Sequence, residues 1–537
     1  MKKIILFSAF ATLIGCTQRS VSNTTSQPIA DTLIRDSLIV DSVTLNKTKP
    51  LVPLADTSLS SVDAIEYEII VYDTTHSGII NNLNDCYKDI DGVLTFRGGP
   101  LRQANFGGTL SKRPDTIIVK WAFQTEMDNT ETKFGKWGGG SGWTGQPLYI
   151  TWPDSIYEAI KAQNKELTQD FSKTEVIVGS LASKVYFINP SNGKRSRNPI
   201  STGNPIKGTI SLDPYFNGLL YVGHGVPNGQ TFGCITVNLL NNSVVNTYGS
   251  DPKAWRGWNA FDSSPIRVGD FVFRPGENGM IYKYFVDVNG KETLHSKLRY
   301  RLKGASQTPG IESSMAVYIN YGYFADNSGN VLCINLSTLR PVWRYNNIDD
   351  CDATPVIDIE NGKPYVYSGC EVDKQPGQGS ARLAKIDALT GEEIWCYKST
   401  STRFNTNGKH FDGGFYSTPL LGVGNCDSLI FANRVDNEQN AQRGHFVAIN
   451  KYTGQLVYEV KEKCYAWSSP VGFTDPDNNM YVLTGDTQGY MYLIDGASGE
   501  VICRRLVGIN FESSPVVRGN TAIVGSRGNN IFCVSIE

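Results

Sequence analysis

The sequence lacks an excess of charge of either sign and has only five histidines. Its 537 residues hold 50 Lys and Arg against 52 Asp and Glu, a formal net charge of −2, so the basic surface that nucleic-acid binding needs is missing. The histidines show no metal-ligand spacing, and the Cys-x-x-Cys-His sequence that attaches haem is absent. Composition therefore argues against a nucleic-acid-binding protein, a histidine metal site and a c-type cytochrome.

What recurs instead is a short pattern in which a polar residue is followed four positions later by glycine and four positions after that by a bulky residue. The copies are Asp387, Gly391, Trp395; Asn450, Gly454, Tyr458; Asp495, Gly499, Cys503; the variant Asn335, Leu339, Trp343; and the half-copy Asn189, Gly193. The polar side chain can bond its own backbone and glycine supplies a positive φ, so each copy predicts a β-hairpin. Hairpins that recur every 40 to 60 residues indicate a β-propeller.

A second pattern counts the repeats. Ahead of each hairpin, a short polar segment leads into a hydrophobic run that ends in glycine. These starts are Gln146-Pro147, Thr209-Ile210, Ser264-Pro265, Ser314-Met315, Thr354-Pro355, Thr418-Pro419, Ser469-Pro470 and Ser514-Pro515. The eight starts predict eight blades.

The last blade has one strand too few, since only two strands follow the start at Ser514 before Glu537. Residues 116–123 resemble the aromatic fourth strand of the other blades, and we expect them to complete the last one, so that no sheet edge stays open. The predicted fold is all-β: an eight-bladed β-propeller closed by an N-terminal strand and preceded by a signal peptide and a disordered tether.

The first sixteen residues have the composition of an export signal. Met1 to Lys3 is a basic start, the apolar run Ile4 to Ile14 is too short to span a bilayer, and Gly15 precedes Cys16. This pattern resembles the bacterial lipoprotein signal, which implies that Cys16 is the lipidated first residue of the mature protein. An ordinary secretory signal with a chance cysteine is the alternative.

The chain divides into four predicted segments. Residues 1–15 are the signal peptide, and residues 16–61 are the lipidated cysteine with a Ser-, Thr- and Asp-rich flexible tether. Residues 62–114 form an extension that we expect to pack on the propeller, and residues 115–537 form the propeller itself.

The repeats resemble the quinoprotein-type (PQQ-like repeat) β-propeller family, whose blades carry an Ala-x-Asp-x-x-x-Gly-x-x-x-Trp hairpin. One copy has Lys385 in the Ala place, with Asp387, Thr390, Gly391 and Trp395. Within that superfamily, a lipid-anchored eight-bladed propeller is similar in architecture to the scaffold lipoproteins of outer-membrane barrel assembly. The glycine-rich stretch from Trp137 to Trp143 departs from that architecture.

The family also implies a rival function. Quinone-dependent dehydrogenases of this fold stack their cofactor between a Trp and a disulfide of adjacent cysteines, and hold Ca²⁺ with carboxylate and amide oxygens beside a catalytic Asp. No two cysteines are adjacent in this sequence. We therefore expect no cofactor and no catalytic residue, and keep the quinone- or metal-dependent oxidoreductase as the alternative.

One constellation follows from register, because residues just before the starts converge at one mouth of the central channel. They are Trp143, Asp262, Glu312, Asp352, Tyr416, Trp467 and Glu512, with Trp258 slightly upstream. Carboxylates and aromatic faces suit a glycan or peptide ligand. The alternative is that polar side chains here cap strands and bond neighbouring blades. Three carboxylates on successive blades would repel one another, a cost that a cation, a basic ligand or protonation would have to meet.

Two cysteines bear on the redox compartment. Cys351 lies just before the first strand of its blade and Cys370 ends the second strand, so both belong at the open end of one hairpin. In an exported protein this placement permits a disulfide.

These patterns together predict a lipid-anchored envelope β-propeller that acts as a non-enzymatic binding or scaffold protein. We expect a monomer at the periplasmic face of the bacterial outer membrane, with the cell surface as the other possibility. The expected partner is a protein or a glycan, not a nucleic acid.

Overall fold

The computed structural model describes residues 61–104, 106–306, 308–375, 377–406, 409–436 and 443–537, together with the strand Thr32–Leu33. The predicted signal peptide, Cys16 and most of the predicted tether lie outside the described residues. In this part of the chain, regular structure is nearly all antiparallel β-sheet, joined by the α-helix Asp154–Gln163 and the short 3-10 helices Ser61–Ala64 and Gly424–Cys426. None of the described helices combines the length and apolar character needed to cross a membrane.

The strands of the described residues form eight antiparallel units of four. Units 1 to 7 are each joined in sequence order, and unit 8 takes its fourth strand from upstream in the chain. Units 1 to 4 comprise Leu148–Thr151, Thr174–Ser180, Lys184–Ile188, Arg195–Ser201; Ser211–Leu212, Leu219–Gly223, Cys234–Asn238, Ser243–Tyr248; Ile266–Val268, Phe271–Gly276, Met280–Val286, Glu292–Leu302; and Ala316–Tyr318, Tyr321–Ala325, Asn330–Asn335, Pro341–Asn346. Units 5 to 8 comprise Val356–Glu360, Lys363–Val372, Gln378–Asp387, Glu393–Thr402; Leu420–Leu421, Leu429–Asp436, Arg443–Asn450, Leu456–Glu462; Val471–Thr474, Met480–Gly485, Tyr490–Asp495, Val501–Leu506; and Val516–Arg518, Thr521–Ser526, Asn530–Ile536, Ile117–Gln124. This repeated up-and-down arrangement is that of a β-propeller, as predicted.

Six further strands of the described residues lie outside the units of four. Ile65–Val71 adds to the outer edge of unit 3 and pairs in turn with Thr32–Leu33, while Gly92–Val93 adds to the inner edge of unit 1. Gly413–Gly414 bridges units 5 and 6. The strands Phe404–Thr406 and Lys409–Phe411 form a separate hairpin.

The last unit draws its outer strand from far upstream in the chain. Ile117–Gln124 pairs with Asn530–Ile536, with Phe123 opposite Ile531. The backbone amides of Asp115 and Thr116 also donate to the carbonyl of Glu537 at 2.7 and 3.1 Å. The predicted pairing of residues 116–123 with the last unit is therefore confirmed.

The recurring hairpin pattern has a second physical cause besides turn geometry. Asp387 accepts hydrogen bonds from the amides of Leu389 and Thr390, and Gly391 has a φ of +77°. A Cβ at Gly391 would also lie 2.8 Å from the ring of Trp343 in the preceding unit, whose Nε1 donates to the carbonyl of Ala388. Glycine therefore leaves room for the neighbouring unit's aromatic side chain.

The same contact joins the last unit to the first. Trp121, on the outer strand of unit 8, donates through Nε1 to the carbonyl of Pro190 at 2.8 Å, and its ring would lie 2.6 Å from a Cβ at Gly193 in unit 1. Trp395 against Gly454 and Tyr458 against Gly499 repeat the geometry between other neighbouring units.

Residues 92–104 and 106–110, here called the hub segment, contact all eight units, either at the inner strand or at a residue next to it. Besides the Gly92–Val93 pairing, backbone bonds join it to Leu212, Val317, Ile357, Thr474 and Gly519. The guanidinium of Arg97 donates to the carbonyls of Pro419 and Pro470, both at 2.7 Å, and Arg102 donates to those of Ser264 and Met315. Both arginines are buried. Part of the predicted extension thus lies inside the ring of units.

Candidate functional site at the channel mouth

Hydroxyl groups at six of the unit starts accept hydrogen bonds from the start of the preceding unit. The amides of Ser264, Ser314, Thr354, Thr418 and Ser469 each donate to the hydroxyl at the start of the following unit, at 2.9 to 3.1 Å, and the amide of Gln146 donates to Thr209. We call this arrangement the hydroxyl ring. It shows the blade-to-blade bonding by Ser and Thr that the structural alternative expected. Residues just before it face one end of the channel, the mouth, and residues just after it meet the hub segment.

The mouth holds six buried or half-buried carboxyl groups, of which the sequence pattern named three. The first acidic group is Asp262, Glu277 and Glu312, and the second is Asp350, Asp352 and Glu371. Within each group, one oxygen from every member lies within 4.8 Å of the others. Asp262 is 0% exposed and Glu277 only 1% exposed. Each group could present three hard oxygen ligands to a cation.

Two lysines of the same chain face these carboxylates. The ammonium of Lys207 contacts Asp262 and lies 3.7 Å from Glu312. The ammonium of Lys374 lies 3.1 Å from Asp350 and donates to the carbonyl of Asn327. The chain therefore supplies part of the charge compensation that the sequence pattern required.

Protonation supplies the rest of the charge compensation. Burial raises the pKa of Asp262 and of Asp350 to about 6, although the nearby lysines lower both. Burial, reinforced by neighbouring carboxylates, raises the pKa of Glu277, Asp352 and Glu371 well above the ordinary carboxyl range. The mouth therefore combines ion pairs at Lys207 and Lys374 with carboxyl groups whose pKa values are raised toward protonation.

Lys207 is the cationic partner of the first acidic group, and burial by itself lowers its pKa. The carboxylates of Asp262, Glu312 and Glu277 outweigh burial and hold that pKa well above 10.5. The side chain stays charged inside the mouth.

The aromatic residues lie on the other side of the mouth. Tyr416 stacks on Trp467 with ring centroids 5.2 Å apart, and Trp143 meets Trp467 edge-on at 6.3 Å. The hydroxyl of Tyr416 bonds Glu371, which joins the aromatic side to the second acidic group. Lys207 lies over the ring of Trp143 at 6.0 Å.

The two remaining predicted residues lie at the edges of the mouth. Trp258 donates through Nε1 to Glu277 at 2.8 Å and packs between Phe134 and Phe232. Glu512 accepts from Asn510 and lies 3.6 Å from Arg527.

The sequence pattern missed Lys207, Lys374, Glu277, Asp350 and Glu371. Lys207 had a signal, because it stands two residues before Thr209, as Asp262 stands before Ser264. Asp350 lies in the segment between units 4 and 5, two residues before the predicted Asp352. Glu277, Glu371 and Lys374 come from second strands and the loops after them, whose register the unit starts do not set.

The predicted Cys351–Cys370 disulfide is not formed in the structure, where both residues are free and buried. The two sulfur atoms lie within hydrogen-bonding reach of each other. The Cys351 thiol also donates to the carbonyl of Asp349 at 3.1 Å, and that of Cys370 to Glu371 at 3.4 Å. Burial raises the pKa of Cys351 well above 9.0, which holds it as the unreactive thiol.

No family model matches the chain. Over 190 residues it is 22% identical to the outer membrane protein assembly factor BamB of Kangiella koreensis, a match that covers 35% of this chain and 39% of BamB. The chain thus spans about two fifths of the length of that curated relative.

Solved structures extend the likeness over most of the chain. A europium-containing methanol dehydrogenase has a TM-score of 0.57 at 11% identity, covering 84% of this chain and 99% of its own. The quinohemoprotein alcohol dehydrogenase of Comamonas testosteroni has a TM-score of 0.55 at 12% identity, covering 83% and 80%. The chain has the fold of PQQ-like β-propellers and is similar in sequence to BamB, which confirms the resemblance that the hairpin pattern predicted.

Proposed function

We propose that this chain is a lipid-anchored scaffold protein of the bacterial envelope that assists the assembly of outer-membrane proteins without catalysing a reaction. In this proposal the eight units are the blades of one closed propeller, residues 115–537, with residues 62–114 as its extension. Residues 1–15 are removed, Cys16 carries the lipid, and the tether up to residue 61 holds a monomer at the periplasmic face of the outer membrane.

The observation that carries the proposal is that the chain fills the axis of its own ring. The hub segment bonds every unit from one side, and the Trp143, Tyr416 and Trp467 rings pack together on the other. Such an axis favours a rigid platform whose outer surfaces meet partners. The similarity to BamB, a protein named for outer-membrane protein assembly, supports the same role.

Depletion of the protein in its own cells tests the role. We expect the amount of folded outer-membrane β-barrel proteins to fall, with recovery on expression of the intact chain. Cys16→Ser should block incorporation of an alkyne fatty acid and reduce that recovery. Unchanged barrel proteins after depletion would refute the assembly role, and label retained on the serine variant would refute the anchor.

The second candidate, a quinone- or metal-dependent oxidoreductase, is favoured by the two acidic groups at the mouth, which can hold a cation. The charged residues at the mouth do not suit the quinone cofactor of that family. Pyrroloquinoline quinone is a polycarboxylate, and the mouth presents six carboxyl groups against the ammonium groups of Lys207 and Lys374, both in ion pairs. The adjacent cysteines of the family are also absent.

Purified protein separates the two candidates. With quinone and Ca²⁺ added, the scaffold proposal expects no alcohol or sugar dehydrogenase activity and no rise in melting temperature. Saturable quinone binding with a higher melting temperature would favour the enzyme. If the mouth binds a ligand instead, Trp143→Ala, Trp258→Ala or Trp467→Ala should weaken it by about 1 to 3 kcal/mol.

A further inference from the structure

The glycine-rich stretch from Trp137 to Trp143 belongs to an insert, residues 125–143, that follows the outer strand of unit 8. The insert lies over the mouth side of units 8, 1 and 2. Thr125 donates to the carbonyl of Asn529, and Leu181 donates to that of Gly140. A Cβ at Gly140 would clash with the carbonyl of Ser526, so glycine lets the two backbones touch.

The insert forms one wall of a cavity of about 720 Å³ beside the mouth. The other walls come from the turn between the second and third strands of unit 1, the end of its fourth strand, and the loop and outer strands of unit 2. The lining residues that matter here are Glu126, Asp128, Lys184, His224, Asn228 and Gln230. This volume lies within the range of about 300 to 1,000 Å³ that small-molecule sites occupy.

The charged groups of this lining already have partners within the protein. Lys184 pairs with Glu126, and Asp128 accepts from Asn228 Nδ2 and from the amide of Thr130, both at 2.9 Å. Burial lowers the pKa of His224 to about 4, so that ring is neutral at physiological pH. The lining therefore favours neither an anion, a metal ion nor an ammonium group.

What the cavity does offer is amide and hydroxyl groups beside a small apolar surface. Gln230 is exposed and Asn228 half-buried, and Thr231 and Thr247 also line the cavity. Met127 and Val244 are each 47% exposed at its edge. Amides can donate to and accept from neighbouring hydroxyl groups at once, while apolar side chains can cover C–H surfaces.

We propose that this cavity binds a neutral, hydroxyl-rich ligand, namely an oligosaccharide. The site is separate from the acidic groups of the mouth and does not depend on the scaffold role. It also gives the insert a function: its glycines dock it on unit 8, and its Glu126 to Asp128 segment completes the binding wall.

Isothermal titration with maltotriose, cellotriose and N,N′,N″-triacetylchitotriose tests the proposal on the full-length protein. We expect at least one of these to bind with a Kd of about 1 mM or tighter. Asn228→Ala and Gln230→Ala should each weaken that binding about tenfold, the usual effect of one lost hydrogen bond. A heparin tetrasaccharide and trilysine, the anionic and cationic comparators, should not bind at this site.

Gln488→Ala is the matched control, since Gln488 is an exposed glutamine in the corresponding turn of unit 7. It should leave binding unchanged. Thermal melting checks that the variants fold, and Gln230 is exposed enough for its replacement to be tolerated. The proposal is overturned if none of the trisaccharides binds, if only a charged comparator binds, or if both cavity variants bind as the parent does.

Discussion

At one side of the hydroxyl ring, two arginines of the hub segment are buried among backbone carbonyls. At the other side, six carboxyl groups are buried or half-buried with two lysines. Arg97 and Arg102 reach carbonyls of four different units. The carboxyl groups instead rely on neighbours that can exchange protons.

The difference follows from the chemistry of the groups. A guanidinium cannot lose its proton inside a protein, so the N–H donors of a buried arginine need fixed acceptors. A carboxyl group can take up a proton when burial becomes too costly. We infer that the arginine side is fixed at every physiological pH, whereas the acidic side changes its charge with pH.

The largest effect should come from breaking the ring on which both sides depend. Replacing residues 117–123 with a Gly/Ser segment of equal length leaves the strand Asn530–Ile536 as an open edge. We expect aggregation or loss of a cooperative melting transition. Removal of residues 17–61 is the control and should change neither. Equal melting of the two variants would contradict the closed ring.

The next largest effect is expected at the arginine side. Arg97→Ala removes two charge-assisted hydrogen bonds and leaves a cavity, so the free energy of unfolding should fall by about 3 to 5 kcal/mol. Chemical denaturation measures it, and the loss should be the same at pH 5 and pH 8. Arg113→Ala, at an exposed arginine paired with Glu500, is the control, expected within about 0.5 kcal/mol. A loss no larger than the control's would show that the hub contacts contribute little.

A matching substitution at the acidic side should destabilise the protein at high pH, and protonation should offset that loss at low pH. Lys207→Met leaves Asp262 and Glu312 without their cation, so the free energy of unfolding should fall by about 3 kcal/mol at pH 8. The loss should shrink at pH 5, where Asp262 can bind a proton. An equal loss at both pH values would remove the contrast between the two sides.

In the parent protein, the direction of the change in stability with pH follows from the same carboxyl group. Asp262 has a folded-state pKa raised to about 6, so its contribution to stability is fully present below about pH 4 and is lost as pH rises through 6. Asp262→Asn should flatten the stability curve between these values by about 2 kcal/mol. Asp115→Asn, at an exposed carboxylate, is the control.

The hairpins and unit starts could be predicted because their causes are local or lie in the next unit. Gly391 is required both by the positive φ of its own turn and by the ring of Trp343 one unit earlier. Both requirements leave a regular spacing in the sequence. The hub segment left no such spacing in the sequence. Its position depends on contacts with residues more than 300 positions away in the chain.

Residues of the mouth could be predicted from the sequence only where strand register alone decides their position. Asp262, Glu312, Asp352, Tyr416 and Trp467 share one offset from their unit starts, and the structure brings them to one end of the channel. Their charge compensation could not be read this way, because Lys374 and Glu371 come from a second strand and the loop after it. The disulfide prediction placed its two cysteines side by side, but adjacency alone does not fix their oxidation state.

The smallest effect should come from the bond that joins the aromatic and acidic sides of the mouth. Tyr416→Phe keeps the stack on Trp467 and removes the hydroxyl that bonds Glu371. Since the raised pKa leaves Glu371 neutral, we expect the free energy of unfolding to fall by about 1 kcal/mol, as for a bond between uncharged groups. Tyr452→Phe, at a tyrosine 52% exposed, should have no measurable effect. A loss of about 3 kcal/mol for Tyr416→Phe would mean that Glu371 is ionised, and the acidic side would then depend on fixed charges as the arginine side does.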